Sequence, residues 1–109
     1  MNDCIFCKIR DGEIGKEFIY QDEDVMVFPD INPLKPTHLL TVPKKHIPDF
    51  SSLEDNNLKV KILDTIQKMV KEQGLEDKGY RVVVNGGGAQ HVDHLHFHLL
   101  GPMGLKVGW

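Results

Sequence analysis

The segment His94-Leu95-His96-Phe97-His98-Leu99-Leu100 alternates histidine with apolar residues. Successive side chains of a β-strand point to opposite faces, so this pattern predicts three imidazoles on one face and a buried apolar row on the other. Imidazole has an ordinary pKa of about 6.5 and suits nucleophilic and acid–base chemistry. A solvated polar face or a row of metal ligands would show the same alternation. Three of the chain's six histidines fall within this segment, and that concentration favours a functional site.

The length and composition indicate one globular domain spanning residues 1–109. A net charge of −3 disfavours a general nucleic-acid binder, which is usually basic. No apolar run approaches the roughly 20 residues of a membrane helix. Charged residues near the N-terminus interrupt any signal peptide. We therefore expect a cytoplasmic protein without a membrane or nucleic-acid partner.

Both cysteines lie in the motif Cys4-Ile5-Phe6-Cys7. A structural disulfide is not expected in a reducing compartment. The motif can be a redox pair, half of a metal site or two small buried residues. A thioredoxin-like motif follows a strand, and nothing precedes Cys4 that could form one. We favour half of a zinc site, completed by two of the histidines.

The remaining pattern predicts an α+β domain with a mainly antiparallel sheet of about five strands. The strands are predicted over residues 17–20, 25–28, 37–42, 80–84 and 94–100. One long helix is predicted over residues 53–70, capped by Ser51 or Ser52 and ended by Gly74. Residues 5–9 are apolar enough to pack as a short N-terminal helix, and residues 11–12 form a turn.

Further polar residues lie at predicted strand ends and in the adjoining loops, where sites are commonly built. These residues are His38, His46, Asn85 and Gln90. The glycine run 86–88 is either a plain turn or a set of backbone N–H groups that could cradle a phosphate.

Taken together, these motifs resemble the histidine-triad (HIT) superfamily and, within it, the Hint branch of nucleotide-binding hydrolases. The match extends over almost the whole chain and keeps the order of the motifs. It is carried by the histidine segment 94–100, by Cys4-Ile5-Phe6-Cys7-Lys8-Ile9, by Phe28-Pro29-Asp30-Ile31-Asn32-Pro33 and by Pro36-Thr37-His38-Leu39-Leu40-Thr41-Val42-Pro43-Lys44-Lys45-His46.

The resemblance implies a HIT-like fold, a homodimer with a continuous ten-stranded sheet, and a purine nucleotide pocket. His96 would attack the α-phosphorus, and Asp30 would bind the ribose hydroxyls. The base would be lined by Phe6, Ile9, Phe28 and Ile31. The phosphate and leaving group would be surrounded by Asn85, Gln90, His98 and His38. In members that begin with Cys-x-x-Cys, zinc is bound by the residues that correspond here to Cys4, Cys7, His46 and His94.

The function implied is hydrolysis of purine nucleoside phosphoramidates through a covalent nucleotidyl-histidine intermediate. A neutral imidazole is a competent nucleophile at phosphorus, and an amine leaving group must gain a proton. We expect a structural zinc, closed by four ligands, and no cofactor in the chemical step. The alternatives are a dinucleoside polyphosphate hydrolase and a zinc-stabilised nucleotide-binding or interaction module with little catalysis.

The sequence departs from the usual Hint pattern at three places. The loop from Asn85 to Gln90 is about two residues shorter. His91 stands where a serine or threonine often contacts phosphate, so it either adds a positive contact there or faces solvent. The tail after the triad lacks the familiar paired glycine and arginine. Its last residue, Trp109, either packs near the partner's site or belongs to a disordered end.

Overall fold

The computed structural model describes residues 3–106 and Gly108. The expectation for Trp109 therefore lies outside the described residues. No helix in this described part is long and apolar enough to cross a membrane.

The described residues form a five-stranded antiparallel sheet with one short and one long helix, which confirms the predicted fold class. The spatial order of the strands is β1-β2-β3-β5-β4. The strands are β1 (Tyr20–Gln21), β2 (Val25–Pro29), β3 (Thr37–Pro43), β4 (Arg81–Val84) and β5 (Phe97–Gly101). The helices are α1 (Ile5–Arg10) and α2 (Asn56–Glu72).

Alternation along the strands divides the core between the two faces of the sheet. On one face, Val25 and Phe97 pack in a cluster with Ile62 of α2. On the other face, Met26 and Leu40 pack with Phe6 of α1. The α1 face also carries His38 and His98, because His38 is two residues along β3 from Leu40 and His98 lies opposite Leu40 in the β3–β5 pairing. The candidate site therefore lies on the α1 face.

Helix α2 begins later than the sequence predicts. Ser51 and Ser52 belong to a 3₁₀ turn, Phe50–Ser52, and the cap of α2 is Asp55. The Asp55 side chain accepts a hydrogen bond from the Leu58 N–H at 3.1 Å, which satisfies a donor of the first turn. The predicted end is confirmed: Gly74 follows the helix with a positive φ of 69°.

The predicted strand 94–100 is too long at its start, since β5 begins at Phe97. Its two ladders end there, at the pairs Thr41–Phe97 and Val84–Phe97. Residues 94–96 instead use local partners, such as the bond from the Leu95 N–H to the Ile47 carbonyl at 2.7 Å. The predicted apolar row is nevertheless buried, with Leu95, Phe97 and Leu99 facing the α2 side.

Candidate active site and metal centre

Four potential metal ligands converge from three separate parts of the chain. Cys4 and Cys7 lie at the start of α1, His46 follows β3, and His94 precedes β5. Cys4 Sγ lies 3.3 Å from His94 Nδ1, and Cys7 Sγ lies 3.3 Å from His46 Nδ1. The two Nδ1 atoms are 3.1 Å apart. All four ligand atoms lie within 4.8 Å of one another.

These separations fit one tetrahedral ion. Ligands at about 2.3 Å for sulfur and about 2.0–2.1 Å for nitrogen place neighbouring ligand atoms about 3.3–3.8 Å apart around zinc. The contacts among Cys4, Cys7, His46 and His94 range from 3.1 to 3.5 Å. The four residues can therefore hold a metal ion with little movement.

The protonation of His94 also suits a ligand. Its Nε2–H donates to the Pro43 carbonyl at 2.7 Å, which leaves Nδ1 free to face the cysteines. Burial lowers the pKa of His94 to about 4, so the ring is neutral at neutral pH. Burial raises the pKa of the Cys4 thiol, and a bound cation would oppose that change. Neutral imidazole and thiolate are the ligating forms.

His96 is the buried histidine next to this cluster. Its Nδ1 lies 2.7 Å from the His94 carbonyl oxygen, which can only accept, so Nδ1 carries the proton. In the neutral ring, Nε2 then holds a free lone pair. The Phe6 ring contacts both imidazoles edge-on, with centroid separations of 5.0 Å to His96 and 5.7 Å to His94.

His38 and His98 form a second, directional pair. The Leu34 N–H donates to His38 Nδ1 at 3.1 Å, so neutral His38 carries its proton on Nε2. That Nε2–H faces His98 Nδ1 at 2.9 Å. His98 Nδ1 is then the acceptor, and His98 carries its own proton on Nε2. The His98 and His96 ring centroids are 5.1 Å apart.

Asp30 adjoins this pair. Its Oδ2 lies 3.3 Å from His38 Nε2 and 3.8 Å from His98 Nδ1, and its Oδ1 accepts from the Asn32 N–H. The three side chains have the composition of a metal site. A metal on His38 Nε2 would move the proton to Nδ1, where the Leu34 N–H already points. The arrangement therefore favours a hydrogen-bond relay.

Burial lowers the pKa of His98 to about 4, and the neighbouring imidazoles of His96, His38 and His91 act in the same direction. His98 is thus neutral at neutral pH. His91 itself is exposed, close enough for its charge to act on His98.

The residues predicted to line the base are only partly brought together. Phe6, Ile9 and Phe28 share one buried cluster. Ile31 is 80% exposed in the loop after β2. Asn85 is exposed and, like His96, directly adjoins the Val84–Phe97 pair that ends the β4–β5 ladder.

The side chain of Gln90 is bound to other loops. Its Oε1 accepts from the Gly88 N–H at 3.0 Å, and its Nε2 donates to the Pro48 carbonyl at 3.2 Å and to Asp49 Oδ1 at 3.4 Å. Sequence reasoning missed Asp49. The available signal was an aspartate two residues before Ser51, a spacing that favours a side-chain cap on a turn.

Comparison with known proteins agrees with this geometry. The sequence profile of the family described as "Scavenger mRNA decapping enzyme C-term binding" matches residues 3–106. The 14 kDa zinc-binding protein of Zea mays is 41% identical over 111 residues, covering 96% of this chain and 84% of the relative.

Two solved structures superpose closely. A HIT family hydrolase from Legionella pneumophila has a TM-score of 0.86 and 44% identity, covering 91% of this chain and 92% of its own. The histidine triad nucleotide-binding protein of Candida albicans has a TM-score of 0.84 and 34% identity, covering 98% of this chain and 82% of its own. This chain belongs to the HIT family.

Proposed function

We propose that this protein hydrolyses purine nucleoside phosphoramidates, such as adenosine monophosphate joined to an amine, through a nucleotidyl intermediate on His96. The hydrogen bond from His96 Nδ1–H to the His94 carbonyl is the observation that carries the proposal. It fixes the tautomer in which Nε2 is a nucleophile. The similarity to a HIT family hydrolase and to a histidine triad nucleotide-binding protein supports the reaction class and the ligand class.

In the first step, the His96 Nε2 lone pair forms a bond to phosphorus while the bond from phosphorus to the amine nitrogen breaks. The departing nitrogen must gain a proton. An anionic nucleotide beside His98 raises the pKa of that imidazole, because an opposite charge favours the protonated form. We assign to His98 the uptake of a proton on Nδ1 with the nucleotide and the delivery of its Nε2 proton to the amine.

In the second step, water attacks the phosphorus of the intermediate, and the bond to His96 Nε2 breaks. After giving up its Nε2 proton, His98 is neutral with a proton on Nδ1, and its Nε2 accepts a proton from the water. His38 Nε2–H donates to His98 Nδ1 while His98 is neutral in the resting protein. Once His98 Nδ1 carries a proton, both N–H groups face Asp30 Oδ2, which lies 3.3 Å from His38 Nε2 and 3.8 Å from His98 Nδ1. Adenosine monophosphate leaves, and His96 regains its neutral form.

The remaining nucleotide contacts are assigned from the HIT resemblance. Phe6, Ile9, Phe28 and Ile31 would contact the base, and Asp30 would accept hydrogen bonds from the ribose hydroxyls. Asn85, Gln90 and His91 would contact the phosphate or the leaving group. Gln90 would have to exchange its bonds to Pro48 and Asp49 for that contact.

We also propose that the metal held by Cys4, Cys7, His46 and His94 is zinc in a structural role. The four-ligand set, the spacing of its atoms and the similarity to a zinc-binding protein of maize support this. When bound, zinc would hold the His94 ring in place. The site needs reduced Cys4 and Cys7, as expected in the cytoplasm. Cys4 and Cys7 are not joined by a disulfide.

The test is incubation with an adenosine phosphoramidate, with release of adenosine monophosphate measured by chromatography and the His96 adduct by rapid-quench mass spectrometry. We expect His96→Ala to abolish both signals without changing the melting temperature by more than a few degrees. Activity that survives this substitution would exclude His96 as the nucleophile. Nucleotide binding without an adduct would identify a binding module, and faster turnover of dinucleoside polyphosphates would identify the other hydrolase branch.

A further inference from the structure

Asp49 links the loop between β4 and β5 to the turn that precedes α2. Its Oδ1 accepts from the Gly87 N–H at 2.9 Å and from Gln90 Nε2 at 3.4 Å. Its Oδ2 accepts from the Ser51 N–H at 3.2 Å and from the Ser51 hydroxyl. Each oxygen thus serves a different segment, Oδ1 the loop and Oδ2 the turn.

The approach of Asp49 to the loop is close enough to constrain the sequence there. A Cβ atom added at Gly86 would lie 2.9 Å from Asp49 Oδ1, closer than such atoms come in proteins. The backbone φ of Gly86 is not in the left-handed region, unlike those of Gly87 and Gly88. A side chain at position 86 would therefore have to displace the Asp49 carboxylate.

The other amide groups at the tip of this loop are satisfied within the loop. The Gly88 N–H donates to Gln90 Oε1, and the Ala89 N–H donates to the Gly86 carbonyl at 3.2 Å. Asp49 provides the bonds that connect this small unit to the rest of the domain, together with the Pro48 carbonyl. The hydrogen bonds from the Ser51 hydroxyl, the Gly87 N–H and the Ser51 N–H lower the pKa of Asp49 to about 2, so the carboxylate is ionised and its bonds are charge-assisted.

The loop held in this way adjoins the nucleophile. It leaves the sheet at the Val84–Phe97 pair and returns to the segment that carries His94 and His96. Three consecutive glycines would otherwise make it unusually flexible, because glycine restricts the backbone least. Ordering such a loop upon binding would weaken the affinity for a ligand that contacts it.

We propose that Asp49 is a positioning residue, which fixes the shortened loop 85–90 in advance and thereby holds Asn85 and His91 beside the phosphate of a bound nucleotide. Its effect on turnover rests on the proposed function. Its effect on loop order does not.

The kinetic test compares Asp49→Ala with Ser51→Ala, which removes one bond to Oδ2 and leaves both bonds to Oδ1. We expect Asp49→Ala to raise KM for the phosphoramidate about tenfold, the loss expected for a charge-assisted hydrogen bond, with a smaller change in kcat. Asp49→Asn, which keeps an oxygen for Gly87, should recover most of this loss. Equal KM values in Asp49→Ala, Ser51→Ala and the wild type would overturn the proposal.

A double substitution tests the contact itself. Gly86→Ala should raise KM and lower the melting temperature in the wild type, because its methyl group displaces the Asp49 carboxylate. In the Asp49→Ala background the same methyl group has room. Gly86→Ala should therefore change KM and the melting temperature much less in that background than in the wild type. Additive effects of the two substitutions would contradict the assigned contact.

Amide hydrogen exchange measured by NMR separates this proposal from the function proposed above. We expect the Gly87 N–H to exchange about tenfold faster in Asp49→Ala than in the wild type or in Ser51→Ala. If that acceleration is found but the wild-type protein is inactive on phosphoramidates, the proposed function fails and the positioning of the loop by Asp49 stands. If the exchange rate of the Gly87 N–H is unchanged, Asp49 does not position the loop, whether or not the protein hydrolyses phosphoramidates.

Discussion

Hydrogen bonds to the backbone give two histidines of the candidate site, His96 and His38, opposite tautomers. The carbonyl of His94 fixes the proton of His96 on Nδ1, whereas the Leu34 N–H fixes the proton of His38 on Nε2. The sequence places His96 in the alternating segment 94–100 and His38 at the start of the predicted strand 37–42. It gives no signal for the proton positions, since the deciding partners are main-chain atoms that every residue type carries.

The pH dependence of stability is predicted to depend in part on His98. Because its pKa is about 4 in the folded protein and about 6.5 when unfolded, the unfolded chain binds more protons between these values. The stabilisation is therefore complete above pH 6.5 and is lost as the pH falls toward 4.

The matched variant is His98→Asn, which keeps an acceptor for His38 and cannot titrate. Both proteins should lose melting temperature when the pH is lowered from 6.5 to 4.5. We expect the loss in His98→Asn to be smaller than the loss in the wild type by roughly 3 °C, after allowance for solvent screening. The comparison holds the acid sensitivity of the metal centre constant. Identical slopes in differential scanning calorimetry would contradict the low pKa of His98.

Strand β5 shows how neighbouring elements set the limits of a periodic pattern. Alternation continues back to His94, but β3 and β4 offer ladder partners only from Phe97 onward. The segment 94–96 is consequently held by the ring of His94, by the Leu95–Ile47 bond and by the His96–His94 bond. The nucleophile proposed here thus depends on the metal centre as well as on the sheet.

Strand β4 lies at one edge of the sheet, and we propose that it forms the homodimer that the HIT resemblance implies. An edge strand presents unpaired backbone groups that a second copy can bind. Val82 on β4 is also 43% exposed. We expect light scattering to give a mass of twice 12.4 kDa for the wild type.

Val82→Lys should shift that mass toward the monomer, because a lysine on an edge strand opposes pairing. Ile19→Lys is the control, since Ile19 is similarly exposed, at 42%, beside β1 at the opposite edge. A wild-type protein that is monomeric at tens of micromolar, or a Val82→Lys dimer as stable as the control, would exclude this interface.

The candidate metal centre joins parts of the chain that are distant in sequence. Cys4 caps α1, His46 lies after β3, and His94 leads into β5, so one ion would connect the N-terminal helix to the neighbouring strands β3 and β5. A metal ion that binds only the folded state raises the free energy of unfolding. The increase grows with the logarithm of the ratio of metal concentration to dissociation constant.

We therefore expect about one zinc per chain by elemental analysis, and a fall of roughly 10 °C or more in melting temperature after removal by a strong chelator. Removal of the metal should also lower the yield of the His96 adduct, because His94, whose carbonyl accepts from His96 Nδ1–H, would no longer be held by the ion. Cys7→Ser is the control, and its melting temperature should no longer respond to the chelator. A fully stable, metal-free wild type would contradict the zinc assignment.

The fold class was predictable because its signals are local. Apolar periodicity marked α2 and most of the strands, and the order of motifs supported the HIT resemblance. The ends of elements were less predictable: Asp55 rather than Ser51 or Ser52 caps α2, since several polar residues in a row could each fill that role. The four candidate metal ligands could be named only through the HIT resemblance, because the cysteine spacing indicated half of a metal site without showing which two histidines would complete it.

The sequence by itself determined which side chains are available, namely the histidines, the cysteine pair and the apolar residues of the strands and of α2. Only the tertiary structure decided where the protons lie, where β5 begins and that Asp49 bonds the shortened loop. These features depend on hydrogen bonds that the folded backbone sets. The Asp49–Gly87 bond joins distant segments, whereas the bonds that place the protons of His96 and His38 join near neighbours in a geometry that the fold imposes. Such bonds are directional and form only when folding has placed both partners, so no local pattern of residues records them.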